Sequence, residues 1–526
     1  MKNRPLRFLM SKILWVDDEI NLLKPHVLYL QKKGYDLATA TNGYDGISLV
    51  KENVFDLVIL DEMMVGMDGL ETLRKIKAED PSVKAIMVTK SEEEGIFLEA
   101  VGNMIDDYLT KPVSPLQLYL SIKKNLEKED IVNRNLSRNY IKNYKIISNM
   151  LEKNPSFEEW IKIYEMIVEW SLRLDEIKDK NLTDTFDDLR NNANIIFGNY
   201  IQSHYGEMIS GRAPKPLLST DIVDRFIIPD TGNIKQALII IDCFPYDQMS
   251  AVEDVLKDEF SISKQSYYAI LPTATEFARN AIFSGLFPSE IEEKFPEIYS
   301  GNIDDEKSSN RFEKELLDSQ LRYKGIDLGK KLKYHKIYKI EEFVKIESSL
   351  SSFNETQVLA IVVNMVDFLV HNRDKAELVN EMMVSESAYR SAIKSWFENS
   401  SLFRIIKGLG EMGFKIILTT DHGAKLVNKF TKISGDGAIS GGMRMKHGKN
   451  LTSSNKKQTV FWQKPSDFKM PSVFKGKNIV LAKEDHCFVF EKGLNEFYKQ
   501  IKNTYQHGGV SLEEMIVPVL VLNKKI

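Results

Sequence analysis

The chain has 526 residues, is 43% hydrophobic and 28% charged, and carries a formal net charge of -4 at pH 7. That length exceeds one ordinary core and predicts two or three domains, and so small a net charge gives no overall pull toward nucleic acid. Two cysteines, Cys243 and Cys487, exclude a disulfide scaffold, lack a metal-ligand spacing and suggest a reducing compartment. No apolar run reaches the length of a membrane span, so a cytoplasmic protein without membrane insertion is expected.

The opening MKNRPLRFLM is basic and then apolar, like the start of a signal peptide. Lys12 interrupts it and Asp17-Asp18 follow, which places the start of the first domain near residue 10. From 10 to 128 the apolar runs KILWV, DLVIL and KAIMV alternate with helical stretches, the pattern of a parallel sheet. Asp17 and Asp18 follow the first run, Asp61 the second and Thr89 the third, and Lys111 follows Asp-Tyr-Leu-Thr. Ligands gather at the carboxyl ends of such strands, so these residues are expected on one rim. Three carboxylates repel one another and invite a hard cation such as Mg²⁺. A lysine neutralises an oxyanion there and a threonine hydroxyl donates to it, so the implied chemistry is phosphoryl transfer onto a carboxylate. The plainer alternative is an acidic loop end of an inert α/β domain.

This segment resembles a response-regulator receiver domain. The resemblance implies a flavodoxin-like (βα)5 fold, Asp61 as phosphoacceptor and a histidine kinase as phosphodonor. It also implies Mg²⁺ held by Asp17, Asp18, Asp61 and the backbone carbonyl of Met63, with Thr89 and Lys111 sensing the phosphoryl group and Tyr108 as the switch aromatic. DEMMVGMDG departs from the usual pattern at Val65, where proline is common; this is expected to shift the loop without touching the chemistry.

No strand-like run occurs from 129 to 210. Ser156-Phe157-Glu158-Glu159 reads as a capping box that opens a helix with Phe157, Trp160, Ile161, Tyr164, Ile167 and Val168 at helical spacing. A helical bundle connector is expected, ended by Gly211, Pro214 and Pro216.

From 211 to 526 the runs ALIII, VLAIVV, FKIILTT and MIVPVLVL predict a second, larger α/β domain. Asp242 ends the first run. Alone it reads first as a helix cap and second as a ligand. Asp367 and His371 are i and i+4, and share a face if the backbone is helical. Asp421-His422-Gly423 follows FKIILTT, and His507 precedes Gly508-Gly509. Together with Pro272-Thr273-Ala274-Thr275 these pieces supply the carboxylates, imidazoles and nucleophilic oxygen of a two-metal site. Thr275, just before an expected helix, is the candidate nucleophile, and Thr273 competes for the role.

The ordered set resembles the alkaline phosphatase superfamily, and Gln506-His507-Gly508-Gly509-Val510-Ser511-Leu512-Glu513-Glu514 is close to the signature of its PglZ branch. LPTATEFARNAIFSGLFP resembles the nucleophile segment of the nucleotide pyrophosphatase/phosphodiesterase branch, in which the second threonine attacks; this favours Thr275. The resemblance implies an alkaline-phosphatase-like α/β sandwich with two Zn²⁺. Asp242, Thr275, Asp421 and His422 would hold one, and Asp367, His371 and His507 the other. Receiver, connector and PglZ-type domain in one chain resemble the PorX-type regulators of Bacteroidetes. That implies a cytoplasmic regulator linked to type IX secretion and gliding, a homodimer on phosphorylation, and a partner in the secretion system or a sigma factor. It also implies phosphodiesterase action on cyclic or linear oligonucleotides.

Between Met443 and Lys477 nine Lys or Arg and one acid, Asp467, are interleaved with Phe461, Trp462, Phe468 and Phe474. Such a segment can follow a phosphate backbone and stack bases, or be a solvated insert with core aromatics. The glycine-rich GDGAISGGMRMKHGK is expected to be mobile. The competing readings are a non-catalytic scaffold or regulator that binds nucleotide or partner proteins, and a phosphomonoesterase.

Overall fold

A computed structural model of the chain describes residues 11–90, 104–177, 180–212, 214–299, 310–364, 385–490 and 501–525. Asp367 and His371 lie outside the described residues. Two compact units form, Met1–Lys142 and Asn143–Ile526.

In the first unit, β1 (Lys12–Val16), β2 (Asp36–Ala40), β3 (Leu57–Asp61), β4 (Lys84–Thr89) and β5 (Asp107–Thr110) form one sheet in the order β2-β1-β3-β4-β5. All its pairings are parallel. Successive side chains of a strand point to opposite faces. Leu14, Val16, Val58 and Leu60 accordingly enter one core and Ile13, Trp15, Leu57 and Ile59 the other. Burial on both faces is why these strands read as unbroken apolar runs. This is the (βα)5 architecture expected from the sequence.

The second unit opens with the connector. Helix Phe157–Ile177 starts at the expected capping box: Glu159 N–H donates to Ser156 Oγ at 3.3 Å, and Ser156 N–H donates to Glu159 Oε2 at 2.8 Å. Trp160, Tyr164, Ile167 and Val168 are buried, as their spacing predicts. Helix Lys180–Met208 follows.

Beyond it come β6 (Gln236–Ile241), β7 (Phe260–Tyr268), β8 (Leu332–Ile337), β9 (Val358–Val363), β10 (Lys415–Thr419), β11 (Lys425–Val427), β12 (Lys429–Ser440), β13 (Met445–Ser453), β14 (Thr459–Trp462), β15 (Asn478–Ala482), β16 (His486–Val489), β17 (Thr504–Gln506) and β18 (Ile516–Lys524). The main sheet has the order β7-β18-β10-β6-β9-β8. β10, β6, β9 and β8 pair in parallel, and β18 pairs antiparallel with both β10 and β7. The carboxyl ends of β6, β7, β9 and β10 therefore share one rim with the start of β18.

The basic segment follows the second of its two readings, an insert with core aromatics. Strands β12 to β16 form a second sheet in the order β14-β15-β13-β12-β16. The glycine-rich stretch lies largely in the β12–β13 hairpin, with Ser440 opposite His447. Trp462 and Phe474 are buried, and Phe468 stacks on Trp462 at 4.4 Å between ring centroids. These aromatics are core; of the four, Phe461 faces solvent. No helix among the described residues is long and apolar enough to cross a membrane.

Candidate active site

On the first rim, Asp17 and Asp61 are buried and Asp18 is exposed. Lys111 Nζ lies 2.9 Å from Asp61 Oδ2 and 3.3 Å from Asp17 Oδ2. Burial pushes the Asp61 carboxyl up, and the charges of Asp17 and Asp18 push it further against the pull of Lys111. Burial would lower the Lys111 ammonium, but Asp61 and Asp17 hold it above its ordinary value. Asp61 Oδ1 is buried without a hydrogen-bond partner. A bare carboxylate oxygen in an acidic cluster fits a hard cation. Thr89 ends β4 and is buried; Tyr108 is partly buried against the core, and Met63 is exposed. Gly69 of Met-Asp-Gly has a steric reason: a Cβ there would lie 2.2 Å from Asp61 O. Val65 is exposed.

On the second rim the sequence pieces converge. Asp242 follows β6, Asp421-His422 follows β10, and Pro272-Thr273-Ala274-Thr275 follows β7. Ligand atoms of Asp242, Asp421 and His422 all lie within 4.8 Å of one another, and the three residues are buried. Asp242 caps no helix; Pro245 occupies the N-cap of Tyr246–Leu256. Cys243 adopts φ +54°, a costly conformation for a residue with a Cβ, and its N–H donates to Asp421 Oδ1 at 3.1 Å. Gly423 lets β10's exit pass the start of the β18 segment, since a Cβ there would lie 1.9 Å from Glu513 O.

Thr275 opens helix Thr275–Ser284, with Ala274 as its N-cap. Its hydroxyl lies 3.2 Å from Asp242 Oδ1 and 3.1 Å from His422 Nε2. Thr273 is occupied elsewhere: its hydroxyl donates to Gly509 O at 2.9 Å and accepts from Gly508 N–H at 3.1 Å. His422 Nδ1 lies 3.0 Å from Gly423 O, and His507 Nδ1 lies 3.2 Å from Thr273 O. A carbonyl only accepts, so each Nδ1 carries the proton and each Nε2 keeps its lone pair for a metal. The two rings stack at 4.6 Å. Burial lowers the His422 imidazole. Burial, then His422, brings His507 to about 4. Both are therefore neutral at pH 7, as metal ligands must be.

Burial would raise Asp242, but Arg279 and then His422 outweigh it and hold that carboxyl low. Burial, and then the charge of Asp242, drives Asp421 well above its ordinary value. Asp421 Oδ2 has no hydrogen-bond partner and stands 3.9 Å from His422 Nε2. A buried carboxylate oxygen without a hydrogen-bond partner is costly unless a cation completes it. The donor set of two carboxylates, an imidazole and a hydroxyl fits Zn²⁺. The ligands proposed for a second ion include Asp367 and His371, outside the described residues.

The sequence alone assigned no individual role to several other residues around the site. Arg279 is fully buried beside Asp242 and Asp421. Arg444, from the basic segment, is also buried. It donates to both Glu514 oxygens at 2.8 Å, and Gly509 N–H donates to Glu514 Oε1 at 2.8 Å, so the pair braces the loop after His507. The connector braces the rim from behind. Tyr205 OH donates to Leu271 O at 3.2 Å and accepts from Leu271 N–H at 2.8 Å. Asn194 accepts from Leu512 N–H at 2.9 Å, and Arg390 joins Asp175 of the connector to Asp247. A partner far away in sequence leaves no local pattern to read.

Fold and site define a receiver joined through a helical connector to an alkaline phosphatase-like domain. Residues 13–123 match the response regulator receiver domain, 130–209 the PorX response regulator linker domain, and 224–522 the BREX system PglZ alkaline phosphatase-like domain. The last match covers more than half of the chain, and the chain belongs to that PglZ family; the three domains in this order are the PorX-type architecture. Curated relatives match the receiver. Transcriptional regulatory protein ResD of Bacillus subtilis is 36% identical over 118 residues, 22% of this chain and 49% of the relative. Transcriptional regulatory protein ZraR of Klebsiella oxytoca is 38% identical over 114 residues, 22% of this chain and 26% of the relative. The chain thus spans about half the length, or less, of these curated relatives. Among solved structures, the response regulator TrrA of Thermotoga maritima in complex with Mg(2+)-BeF is 33% identical. That match covers 22% of this chain and all of the other, with a TM-score of 0.21. A CheY-like receiver domain protein of Methanospirillum hungatei is 32% identical over 23% of this chain and 97% of the other, with a TM-score of 0.22.

Proposed function

We propose that this protein is a response regulator whose phosphorylation at Asp61 controls a zinc-dependent phosphodiesterase, with Thr275 as nucleophile. The observation that carries the reading is the Thr275 hydroxyl, held between Asp242 Oδ1 and His422 Nε2 beside the bare oxygen of Asp421. Thr275 Oγ attacks phosphorus, and the bond from phosphorus to the leaving oxygen breaks as the ester to threonine forms; the hydroxyl's proton passes through solvent to that oxygen, which leaves as the alcohol, and water then hydrolyses the threonine ester and restores the hydroxyl. Asp242, Thr275, Asp421 and His422 would hold one Zn²⁺, and Asp367, His371 and His507 the other. When bound, the metals lower the pKa of the attacking hydroxyl and offset charge on the leaving oxygen. Asp242 orients the hydroxyl, and the helix N-terminus at Thr275 favours the anionic ester.

In the receiver, Asp17, Asp18, Asp61 and the Met63 carbonyl would hold Mg²⁺ during transfer from a histidine kinase, with Thr89, Tyr108 and Lys111 reporting the phosphoryl group. Exposed Lys449, Lys456, Lys457, Lys464 and Lys475, with Phe461, suit a phosphate backbone, which supports cyclic or linear oligonucleotide substrates. Dimerisation on phosphorylation, a cytoplasmic location, a sigma factor or secretion-system partner, and a link to type IX secretion and gliding rest on the PorX-type architecture. The test is hydrolysis of bis-p-nitrophenyl phosphate against the mono-ester, with zinc measured on the same preparation. Preference for the mono-ester would make it a phosphomonoesterase, and stoichiometric zinc without turnover of either would make it a scaffold.

A further inference from the structure

Arg279 lies one helical turn after Thr275, on the same face of helix Thr275–Ser284. Its side chain is 0% exposed. Nη1 stands 3.2 Å from Asp242 Oδ2 and 3.8 Å from Asp421 Oδ2, and Nε donates to Glu313 Oε1 at 2.5 Å. Glu313 is held in turn. Asn310 Nδ2 donates to Oε1 at 3.1 Å, Lys336 Nζ stands 3.3 Å from Oε2, and the Tyr334 hydroxyl donates to Oε2. Asn310 Nδ2 also donates to the Thr275 carbonyl at 3.2 Å, which ties this assembly to the start of the helix.

We propose that Arg279 is a positioning residue for the metal site: Glu313 locks the guanidinium, the guanidinium takes Asp242 Oδ2, and Asp242 Oδ1 is thereby turned toward Thr275. The inference rests on the functional reading, because it takes Asp242 to be a metal ligand.

The charges and the geometry both argue for it. Arg279 Nη1 stands nearer to Asp242 Oδ2, at 3.2 Å, than to Asp421 Oδ2, at 3.8 Å, so its charge falls mainly on Asp242. A ligating carboxylate uses one oxygen, and the other is free to swing unless an outer partner holds it; such partners orient the ligand. Arginine suits the task because its planar fork serves two carboxylates in fixed directions, which a lysine's point charge cannot do. The bland alternative is a buried Arg279–Glu313 ion pair that only supports the fold. Buried pairs are poor evidence of stability, since their desolvation offsets most of the attraction.

The experiment uses the full chain with Arg279→Met, Arg279→Lys and Glu313→Gln. Zinc affinity is measured by competition with a chromogenic chelator, thermal melting is measured in EDTA, and kcat and KM are measured on bis-p-nitrophenyl phosphate. Arg279→Met should lower zinc affinity by about 10–100-fold, the range for loss of an outer-shell partner. Arg279→Lys and Glu313→Gln should lower it less, and kcat should fall more than KM changes. A fold-only role predicts a lower melting temperature with unchanged zinc affinity, and that result overturns the proposal. A rise in affinity overturns it too, because the guanidinium would then be competing with the ion. If Arg279→Met does not fold, wild-type zinc affinity in both other variants overturns it. A wild-type protein that binds no zinc and cleaves no diester sinks the functional reading and this inference with it. A zinc-loaded, active wild type with unaltered variants sinks the positioning role alone.

Discussion

In the receiver the acidic cluster is open on one side: Asp18 faces water, and Lys111, which bridges Asp17 and Asp61, keeps a side chain 22% exposed. In the catalytic domain Asp242, Asp421 and His422 are all buried, and the bridging cation, Arg279, is fully buried as well. Both clusters arise by one rule, carboxylates at the ends of parallel strands. They differ in what water can reach. An open cluster suits a group that arrives and leaves with each signal. A closed one suits an ion that stays and a reaction that must exclude stray water.

The largest expected effects test whether the clusters are chemically separate. Thr275→Val keeps shape but removes the attacking oxygen; we predict diester hydrolysis falls by about two to three orders of magnitude, the scale for loss of a catalytic group, with acetyl phosphate labelling intact. Thr273→Val should be milder, through its two loop hydrogen bonds. If Thr273→Val is the inactive variant, the nucleophile is assigned two residues off. Asp61→Ala should abolish labelling and leave zinc content unchanged; labelling at the wild-type level would remove Asp61 as acceptor.

Next comes retention of the ion. Brief gel filtration in EDTA should strip Mg²⁺ from the receiver while zinc stays with the catalytic domain. Asp421→Ala or His507→Ala should lose zinc and activity together. Full zinc content in both variants would show that the ligand set is wrong.

The smallest effects are in stability, and their pH signs differ. Glu386 is held down at about 2, against an ordinary 4.5, because Arg190 and then Lys425 outweigh its burial. A lowered carboxyl contributes stability that is present above 4.5 and lost as pH falls toward 2. Glu386→Gln should therefore destabilise at pH 7 by at most about 3 kcal/mol, and its gap from wild type should close in that acid window. Asp61 is raised by burial and by its acidic neighbours, so its charge opposes folding. Asp61→Asn should stabilise the metal-free receiver at neutral pH, and the advantage should vanish as pH falls back toward 3.8. Melting curves with equal pH dependence for both variants would contradict this contrast.

The strands and both rims were legible because apolar runs ending in Asp, Thr or His are local patterns. The start of the connector helix Phe157–Ile177 was legible because a capping box spans four residues. The basic segment left two readings open, and its aromatics follow the second, core packing. Its count of lysines and aromatics was right, but composition does not say which way a side chain points, and Trp462, Phe474 and Arg444 turn inward. Arg279 went unnoticed because its meaning depends on Glu313, brought beside it by a separate helix, Glu313–Tyr323.

Tyr205 carries a consequence for modularity. Its single hydroxyl serves both peptide groups of Leu271, immediately before the threonine segment, and Tyr268 of β7 donates to Phe157 O at 2.8 Å. The wall behind the threonine segment is thus made partly by helices that sequence boundaries assign to a linker. A shortened chain starting at residue 211 would leave two main-chain groups without partners at that wall and bare the ring of Tyr268, which stacks on Phe197 of the connector. In any recombination of parts the catalytic domain cannot travel alone: its inheritable unit begins at the helices.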